Sequence, residues 1–494
     1  MWKDSVFGKC VLSALFLAVA CSDTSSDEVY AGSGGSVTGT GGSGAGTGGA
    51  DPGTGGSMPG TGGATAGIGG SVAGIGGAVA GVGGAVAGTG GAVAGTGGDV
   101  AGTGGDVAGT GGDVAGTGGA VACTTSTLPC GTQYHHPAIL LEEFTYDSAD
   151  FSSIHASSIE DLPNGDLVVV YFGGPGEGDA GTVIRYQRKP PDGTWSTPIV
   201  LGDDGTASGT ETPCWNPVIY QVPGGDLLFW WKVGPNPSRW WGMLKRSSDN
   251  GQTWSADEKL GGDSAPDVLG PVKNKPVQLA NGDILAGSSR ENQGWVMHAE
   301  RSTDNGATWS FITTIENGAS GGAIQPSILT YDDGRIQMVA RDKGGKKVMS
   351  TWSSDNGTTW TPTSALTIPN NNAGLDGVTL CDGRQLLVYN HSIREGGTSV
   401  GPESGNKGRS LLNVSVSLDG EAWEAAVILE SPNKDDGRKS YPAVIQSADG
   451  LVHITYTYLR KKVKHVVLNP ECLTETTPMP DGKWPASGPA SIAP

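Results

Sequence analysis

The sequence predicts an all-β fold, in which a six-bladed β-propeller follows a disordered, glycine-rich N-terminal tether. First, the motif S-x-D-x-G-x-T-W occurs in residues 247–254, 302–309 and 353–360, with incomplete copies in residues 192–195 and 417–423. Second, a glycine turn followed by an apolar, β-forming run recurs six times, in residues 164–167, 224–227, 281–284, 333–336, 382–385 and 449–452. Short strands and turn signals that repeat about every 50 residues indicate one four-stranded blade per repeat.

The eight-residue motif has the composition of a tight hairpin tip. Asp and Asn hydrogen-bond the local backbone, Gly supplies a positive φ, and Trp packs back as a large apolar side chain. In five repeats the motif follows the glycine turn at a similar distance, so glycine turns should join inner strands and the motifs outer ones. The sixth repeat lacks the motif, and residues 456–468 are expected to close that blade. We therefore interpret the motif as scaffold.

Composition limits the class of ligand. The chain has 494 residues, a formal net charge of -19 and a pI near 4.7. This acidity argues against binding of nucleic acid or other polyanions by bulk charge, but an acidic sugar held by a few arginines or lysines remains compatible. No Cys-x-x-Cys or His/Cys cluster indicates a metal, so we expect no cofactor, and we expect a monomer.

The first 21 residues have the features of an export signal. Lys3 and Lys9 precede an apolar run, residues 10–20, that is too short to span a bilayer. The sequence Leu-Ala-Val-Ala before Cys21 is similar to a bacterial lipoprotein cleavage box, which predicts lipidation of Cys21; ordinary secretory cleavage is the alternative. We expect a cell-envelope protein, anchored to the outer membrane only through this lipid.

Residues 22–122 are built from glycine-rich units, many of them seven residues long, and 84 glycines occur in the chain. A flexible coil is predicted, with a reach of roughly 50–60 Å, and an ordered glycine-rich assembly is the alternative. Cys123 and Cys130 then predict a small disulfide loop in an oxidising compartment. The propeller is assigned to residues 123–470 and a tail to residues 471–494.

The repeated motif resembles the Asp-box, or BNR repeat, of the sialidase superfamily. Further segments resemble a sialidase-like subgroup, in residues 215–217, 232–235, 238–242, 270–276, 374–377, 389–391, 440–446 and 464–468. The resemblance covers nearly the whole propeller and implies a site at its central mouth. In sialidases three arginines bind the carboxylate of the sugar, an Asp is the general acid, and a Tyr activated by a Glu is the nucleophile.

The resemblance carries over only part of the arginine set. Arg409 matches the third arginine, at the start of the strand before the fifth Asp-box. His155 occupies the position of the first arginine. Lys347 occupies that of the second, with Arg341 slightly earlier. A lysine can pair with a carboxylate but lacks the bidentate fork of arginine.

The catalytic set is also partly matched. Tyr441, in Ser-Tyr-Pro-Ala, matches the nucleophile, and the loop in residues 173–180 offers Glu177 or Asp179 as the acid, with the spacing favouring Asp179. Gln325 stands where the Glu is expected, and a glutamine cannot accept a proton from tyrosine.

Other polar residues suggest binding on their own chemistry. Lys273, Asn274 and Lys275 place two cations beside a strand start, which suits an anionic sugar, although ordinary surface charge is the alternative. Asp376 follows an asparagine-rich loop and is a candidate acid or hydroxyl ligand.

Two classes of function follow. The first is an exo-acting glycosidase that removes a terminal acidic sugar from a glycan; a variant is a polysaccharide lyase with His155 and Tyr441 as base and acid. The second is a non-catalytic carbohydrate-binding propeller. Convergence of His155, Asp179 and Tyr441 on one point would favour an enzyme.

Overall fold

The computed structural model describes residues 124–262, 266–292, 294–319, 321–395, 398–400, 409–431 and 438–485, together with short strands between residues 31 and 117. The chain divides into two compact units, residues 1–115 and residues 116–494, which are described separately. Cys21 and Cys123 lie outside the described residues, so the lipidation prediction has no structural counterpart.

The second unit consists of six antiparallel sheets, which confirms the predicted propeller of six blades. Blades 1 and 2 contain the strands Ser153–Asp161, Leu167–Gly174, Val183–Lys189 and Ile199–Gly202, then Cys214–Gln221, Leu227–Val233, Trp241–Ser247 and Glu258–Lys259. Blades 3 and 4 contain Val277–Gln278, Ile284–Arg290, Val296–Ser302 and Ser310–Thr314, then Ala323–Thr330, Ile336–Asp342, Met349–Ser353 and Ser364–Ala365.

Blades 5 and 6 depart from simple chain order. Blade 5 contains Asp376–Thr379, Gln385–Tyr389, Leu412–Ser417 and Glu424–Glu430, with Thr477–Pro478 as a fifth strand. Blade 6 contains Lys439–Gln446, Val452–Tyr458, Lys462–Leu468 and, on the outside, Ile139–Phe144. A small hairpin, Ile393–Glu395 with Thr398–Val400, and a 3-10 helix, Pro470–Cys472, complete the described elements.

The repeated turns lie where the sequence predicts them. In blade 2 the glycine turn joins the first two strands, and the Asp-box joins the last two. Asp249 Oδ1 accepts hydrogen bonds from Ser247 Oγ at 2.7 Å and Thr253 N at 2.8 Å, and Asn250 has a φ of 57°. Glycine turns and Asp-boxes therefore share one end of each blade, and the loops between second and third strands lie at the other.

The outermost strand of blade 6 comes from the beginning of the propeller. Ile139–Phe144 pairs antiparallel with Lys462–Leu468, so Ile139 lies opposite Leu468 and Phe144 opposite Lys464. Lys464 Nζ is 2.9 Å from Glu142 and 2.8 Å from Glu430. The ring is therefore closed by a strand from outside residues 456–468.

The pairing of the closing strand explains which cysteines form a disulfide. Cys130 is bonded to Cys472, with a Cα–Cα distance of 5.6 Å, so the predicted pair of Cys130 with Cys123 is wrong. The closing strand starts beside Leu468, which brings the chain before it next to the 3-10 helix that follows Leu468. Nearby, Asn469 Nδ2 donates to Leu128 O at 2.7 Å. Cys381 is also disulfide-bonded, and Cys214 is free and buried.

Replacing Cys130 and Cys472 together by serine should lower the free energy of unfolding by about 2–5 kcal/mol, because the bond links residues 342 positions apart. Urea unfolding of the oxidised protein and the double variant would measure the loss. The single variant Cys472→Ser should lose as much as the double variant. Equal stability of all three proteins would contradict a role for this bond in closing the ring.

Between residues 31 and 117 the structure describes thirteen short strands in two parallel sheets, one of seven strands and one of six. In one sheet Val93 lies beside Val79 and Val107, so the offset is 14 residues, or two seven-residue units. The strands are Ala31–Ser33, Gly39–Thr40, Ala45–Thr47, Asp51–Thr54, Met58–Thr61, Thr65–Ile68, Val72–Ile75, Val79–Val82, Val86–Thr89, Val93–Thr96, Val100–Thr103, Val107–Thr110 and Val114–Thr117. Their pairing is that of an ordered glycine-rich assembly, the alternative to the predicted coil.

Candidate active site

Six equivalent positions lie on the inner strands or just before them, each nine residues before the turn glycine of its blade. They are Ala156, Asn216, Lys273, Gln325, Gly374 and Tyr441, which precede Gly165, Gly225, Gly282, Gly334, Gly383 and Gly450. In blades 1, 2, 4 and 6 the strand pairing shifts register here, as expected for β-bulges.

Five of these six residues are not glycine and yet have positive φ values, between 38° and 76°. Such a backbone costs free energy and is typical of functional sites, where a bulge re-aims a side chain. The sixth position is Gly374, where an added Cβ would lie 3.2 Å from Lys273 Cε and 3.2 Å from the ring of Tyr441. These positions therefore converge around Tyr441.

Two arginines flank the Tyr441 ring. The guanidinium carbons of Arg341 and Arg409 lie 5.7 and 5.6 Å from the ring centroid. Arg341 Nη1 also donates a hydrogen bond to Tyr441 Oη. Burial lowers the pKa of Arg409 to about 10, an effect that Tyr441 opposes and Arg341 adds to, so the Arg409 guanidinium is positively charged at neutral pH.

Asn372 holds the two arginines in place. Its Oδ1 accepts from Arg341 Nε at 2.7 Å, and its backbone carbonyl accepts from Arg409 Nη2 at 2.7 Å. Trp295 covers Arg341, with 4.8 Å between the guanidinium carbon and the ring centroid. Gln325 Oε1 accepts from Arg341 Nη1 at 3.3 Å, so the residue at the expected Glu position orients an arginine.

His155 lies directly against the tyrosine. The two ring centroids are 3.9 Å apart, and His155 Nδ1 is 2.8 Å from Thr457 Oγ1. His155 Nε2 is buried without a hydrogen-bond partner. Burial holds the pKa of His155 well below its ordinary value, and nearby arginines add to this, so the imidazole is neutral at neutral pH.

The loop between the second and third strands of blade 1 carries both predicted acids. Glu177 and Asp179 are exposed. Glu177 Oε2 forms an ion pair with Arg460 Nη2 at 2.7 Å, and Arg460 acts electrostatically on His155. Glu177 is therefore the counter-ion of Arg460, which leaves Asp179, the residue favoured by the spacing, as the candidate acid.

Three predicted binding residues make buried or distant contacts instead. Lys275 Nζ donates to Asp376 Oδ2 at 3.2 Å, and Asp376, which is 1% exposed, also accepts from Ser327 and from Val444 N. Both side chains therefore tie blades together. Lys347 Nζ donates to the backbone carbonyl of Thr367, so Arg341, and not Lys347, is the second cation at Tyr441.

Lys273 and Asn274 support the site from beneath. Lys273 Nζ donates to Asn274 Oδ1 and to Leu375 O, both at 2.7 Å, and to Pro442 O beside Tyr441. Burial lowers the pKa of Lys273 to about 7, with Asp376 opposing that shift. Asn274 Nδ2 donates to Gln325 O at 2.9 Å. These residues position neighbouring site residues and are themselves buried.

Sequence reasoning missed several residues at this end of the ring. Burial raises the pKa of the Glu291 carboxyl, and Arg341 opposes that shift. Arg438 and Arg460 both act on His155, and Asn372 and Trp295 orient Arg341. Their shared signal is position, because all five lie at or beside loops on the end opposite the Asp-boxes.

Neither a metal-binding cluster nor a membrane-spanning helix occurs in the part of the chain that the structure describes. Among the residues that the structure describes, no three His, Cys, Asp or Glu side chains are grouped so that they could hold a metal ion. Within the same described ranges, no helix is long and apolar enough to cross a membrane.

Comparison with known proteins gives a family and a fold. Residues 165–454, more than half of the chain, match the family model of the BNR repeat-like domain. No curated protein matches the sequence.

Solved structures with the same fold include sialidases. A protein of unknown function from Dyadobacter fermentans is 16% identical with a TM-score of 0.51, over 67% of this chain and 98% of that one. A Hadza microbial sialidase is 18% identical with a TM-score of 0.50, over 65% and 67% of the two chains. A mutant of NanB sialidase from Streptococcus pneumoniae is 13% identical with a TM-score of 0.53, over 70% and 72%. At these identities the likeness shows the propeller fold.

Proposed function

Because the chain belongs to the BNR repeat-like domain family and has a sialidase-type fold, we propose that it is an exo-acting glycosidase that removes a terminal acidic sugar. Reaction takes place at Tyr441. Exported through its N-terminal signal, and anchored through a lipid on Cys21, the enzyme acts on glycans at the cell envelope or outside the cell.

The pair of arginines on Tyr441 is the observation that carries this proposal. Two guanidinium groups flank one buried tyrosine ring, and Asn372 hydrogen-bonds both. Arginine forks are suited to the two oxygens of a carboxylate. A sugar carboxylate bound by Arg341 and Arg409 brings the adjacent ring atoms to Tyr441.

Hydrolysis at this site follows from the roles of four side chains. Tyr441 Oη forms a bond to the anomeric carbon as the bond from that carbon to the leaving oxygen breaks. Arg341, hydrogen-bonded to Oη, stabilises negative charge on the phenol oxygen. Asp179 gives its proton to the leaving oxygen, because Glu177 is held as the counter-ion of Arg460, and the neutral His155, whose ring lies against the phenol, takes the phenol proton. Water then attacks the anomeric carbon and gives a proton to Asp179, while Tyr441 leaves, regains its proton from His155 and releases the sugar.

A polysaccharide lyase is a second candidate, favoured by two observations. Gln325 supplies no carboxylate to activate the tyrosine, and His155 Nε2 is buried with no partner. In β-elimination, a base removes the proton next to the uronate carboxylate, the bond to the leaving oxygen breaks, and a carbon–carbon double bond forms. The arginines neutralise the carboxylate, and Tyr441 returns a proton to the leaving oxygen.

Assays on the full chain separate these candidates. Release of the aryl group from an aryl α-sialoside reports hydrolysis, and absorbance of an unsaturated product from uronate polysaccharides reports elimination. Arg409→Met should lower kcat/KM by at least about 30-fold, because it removes a charged hydrogen-bonding partner of the carboxylate.

The matched control is Lys347→Met, which removes a cation that contacts Thr367 outside the Tyr441 cluster. It should leave kcat/KM within about twofold, because energetic coupling is expected mainly between residues that are in contact or share partners. A folded protein that produces neither product would contradict both enzymatic candidates, and glycan binding by such a protein would indicate the non-catalytic class.

A further inference from the structure

The site contains more arginine side chains than are needed to bind one carboxylate. Arg341 and Arg409 flank Tyr441, and two further arginines come from blade 6. Arg438 immediately precedes the inner strand Lys439–Gln446, and Arg460 lies in the turn after Val452–Tyr458. All four act electrostatically on His155, in a chain whose net charge is -19.

The blade 6 arginines are held close to each other by the backbone. Leu459 N donates to Arg438 O at 2.8 Å, which ties the two segments side by side. Leu459 and Arg460 both have positive φ values, 54° and 61°, a conformation that costs free energy for residues other than glycine. The turn therefore presents Arg460 at a fixed place beside His155.

One donor in this group lacks a partner. Arg460 Nη2 is paired with Glu177, but Arg460 Nε is buried and makes no hydrogen bond. A buried donor left without an acceptor costs free energy, so a ligand that brings an acceptor oxygen recovers that cost.

The positive charge of the four arginines also favours an anionic ligand. Glu177 neutralises one of the two blade 6 arginines, and the remaining positive charge adds to that of Arg341 and Arg409. A single carboxylate neutralises one charge and occupies the Arg341–Arg409 pair. A second anionic group beside it would lower the remaining positive charge and accept from Arg460 Nε.

We propose that Arg438 and Arg460, beside His155, form a second anion subsite, which binds a sulfate ester or a second carboxylate on the same acidic glycan. This inference rests on the proposed function, because it takes the first carboxylate to lie between Arg341 and Arg409. The substrate is then a glycan terminus with two neighbouring negative charges.

Calorimetric binding to the full chain tests this subsite with three probes. Methyl β-glucuronide carries one carboxylate, its O-sulfate esters add a sulfate, and a methyl diuronide adds a second carboxylate. The wild-type protein should bind at least one dianionic probe about tenfold more tightly than the monoanionic probe, the gain expected from charged hydrogen bonds. The preferred probe identifies the second group.

Arg438→Gln should abolish that tenfold gain and leave binding of the monoanionic probe within about twofold. The matched control is Arg335→Gln, because Arg335 pairs with Asp333 in a glycine turn at the opposite end of the ring. It should change neither affinity.

Wild-type binding of all three probes with equal affinity would overturn the second subsite and leave the proposed function intact, and this comparison needs no variant to fold. Equal weakening of mono- and dianionic probes by Arg438→Gln would also overturn it. Absence of binding of every probe would overturn the second subsite together with recognition of uronates at Arg341 and Arg409.

Discussion

Replacing Tyr441 by phenylalanine should lower kcat by about 10²–10⁴-fold, because the variant keeps the ring but loses the oxygen that reacts. KM should stay within about threefold, since Arg341 and Arg409 still bind the carboxylate and still lie over an aromatic ring. Steady-state kinetics on whichever substrate the wild-type enzyme turns over would give both constants.

The matched control is Tyr389→Phe. Tyr389 is also a buried tyrosine, but its Oη contacts His391 Nδ1 at 2.6 Å and Ser415 Oγ at 3.2 Å within blade 5. Its removal should leave kcat unchanged and lower the free energy of unfolding by about 1 kcal/mol, as for a lost hydrogen bond. Full activity of Tyr441→Phe would exclude the phenol from the chemistry, and a rise in KM alone would restrict it to binding.

Replacing Asp376 by alanine should lower the free energy of unfolding by about 3–5 kcal/mol. The carboxylate is a buried acceptor for Lys275 Nζ at 3.2 Å, Ser327 Oγ at 2.6 Å and Val444 N at 2.9 Å, which come from three different blades. Without it, the half-buried Lys275 ammonium loses the carboxylate that neutralises it. Urea unfolding monitored by tryptophan fluorescence would measure the loss.

Two comparisons make this result specific. Asp333→Ala removes an exposed carboxylate that pairs with Arg335, and it should cost less than about 1 kcal/mol. The double variant Asp376→Leu with Lys275→Met should be more stable than Asp376→Ala, because it removes both members of the buried pair. A stable but inactive Asp376→Ala would instead restore the interpretation of Asp376 as an acid or ligand.

The turns, which depend on residues close together in sequence, could be predicted, whereas the pairing of strands far apart in sequence could not. Each glycine turn and Asp-box depends on residues only a few positions apart, as in the contacts of Asp249 with Ser247 and Thr253. The closing strand pairs Ile139 with Leu468, and nothing near either residue in sequence specifies the other. The mistaken choice of Cys123 as partner of Cys130 has the same origin, because the closure decides which cysteines meet.

The site was predictable where a motif fixed the place of a residue along its strand. Tyr441, Arg409 and His155, which their motifs placed in the site, lie together around one ring, and Gln325 contacts it through Arg341. The places of Lys273 and Lys275 were harder to predict. A shift of one residue in a strand decides whether a side chain faces the central site or packs between blades.

A similar difficulty applies to the choice between Arg341 and Lys347. Arg341 lies in the second strand of blade 4, whereas Lys347 precedes the third strand and contacts Thr367. Their sequence separation is small, but the turn between the two strands sends their side chains to different neighbours.

At the six equivalent positions on or before the inner strands, the residue type varies although the path of the backbone is repeated. Blades 1, 2, 4 and 6 repeat the same bulge with four different residues, Ala156, Asn216, Gln325 and Tyr441. The strained backbone conformation therefore belongs to the position in the blade and does not depend on which side chain is present. New specificity can evolve or be engineered by substituting one of these residues, for instance Ala156 or Asn216, while the backbone of the propeller stays unchanged.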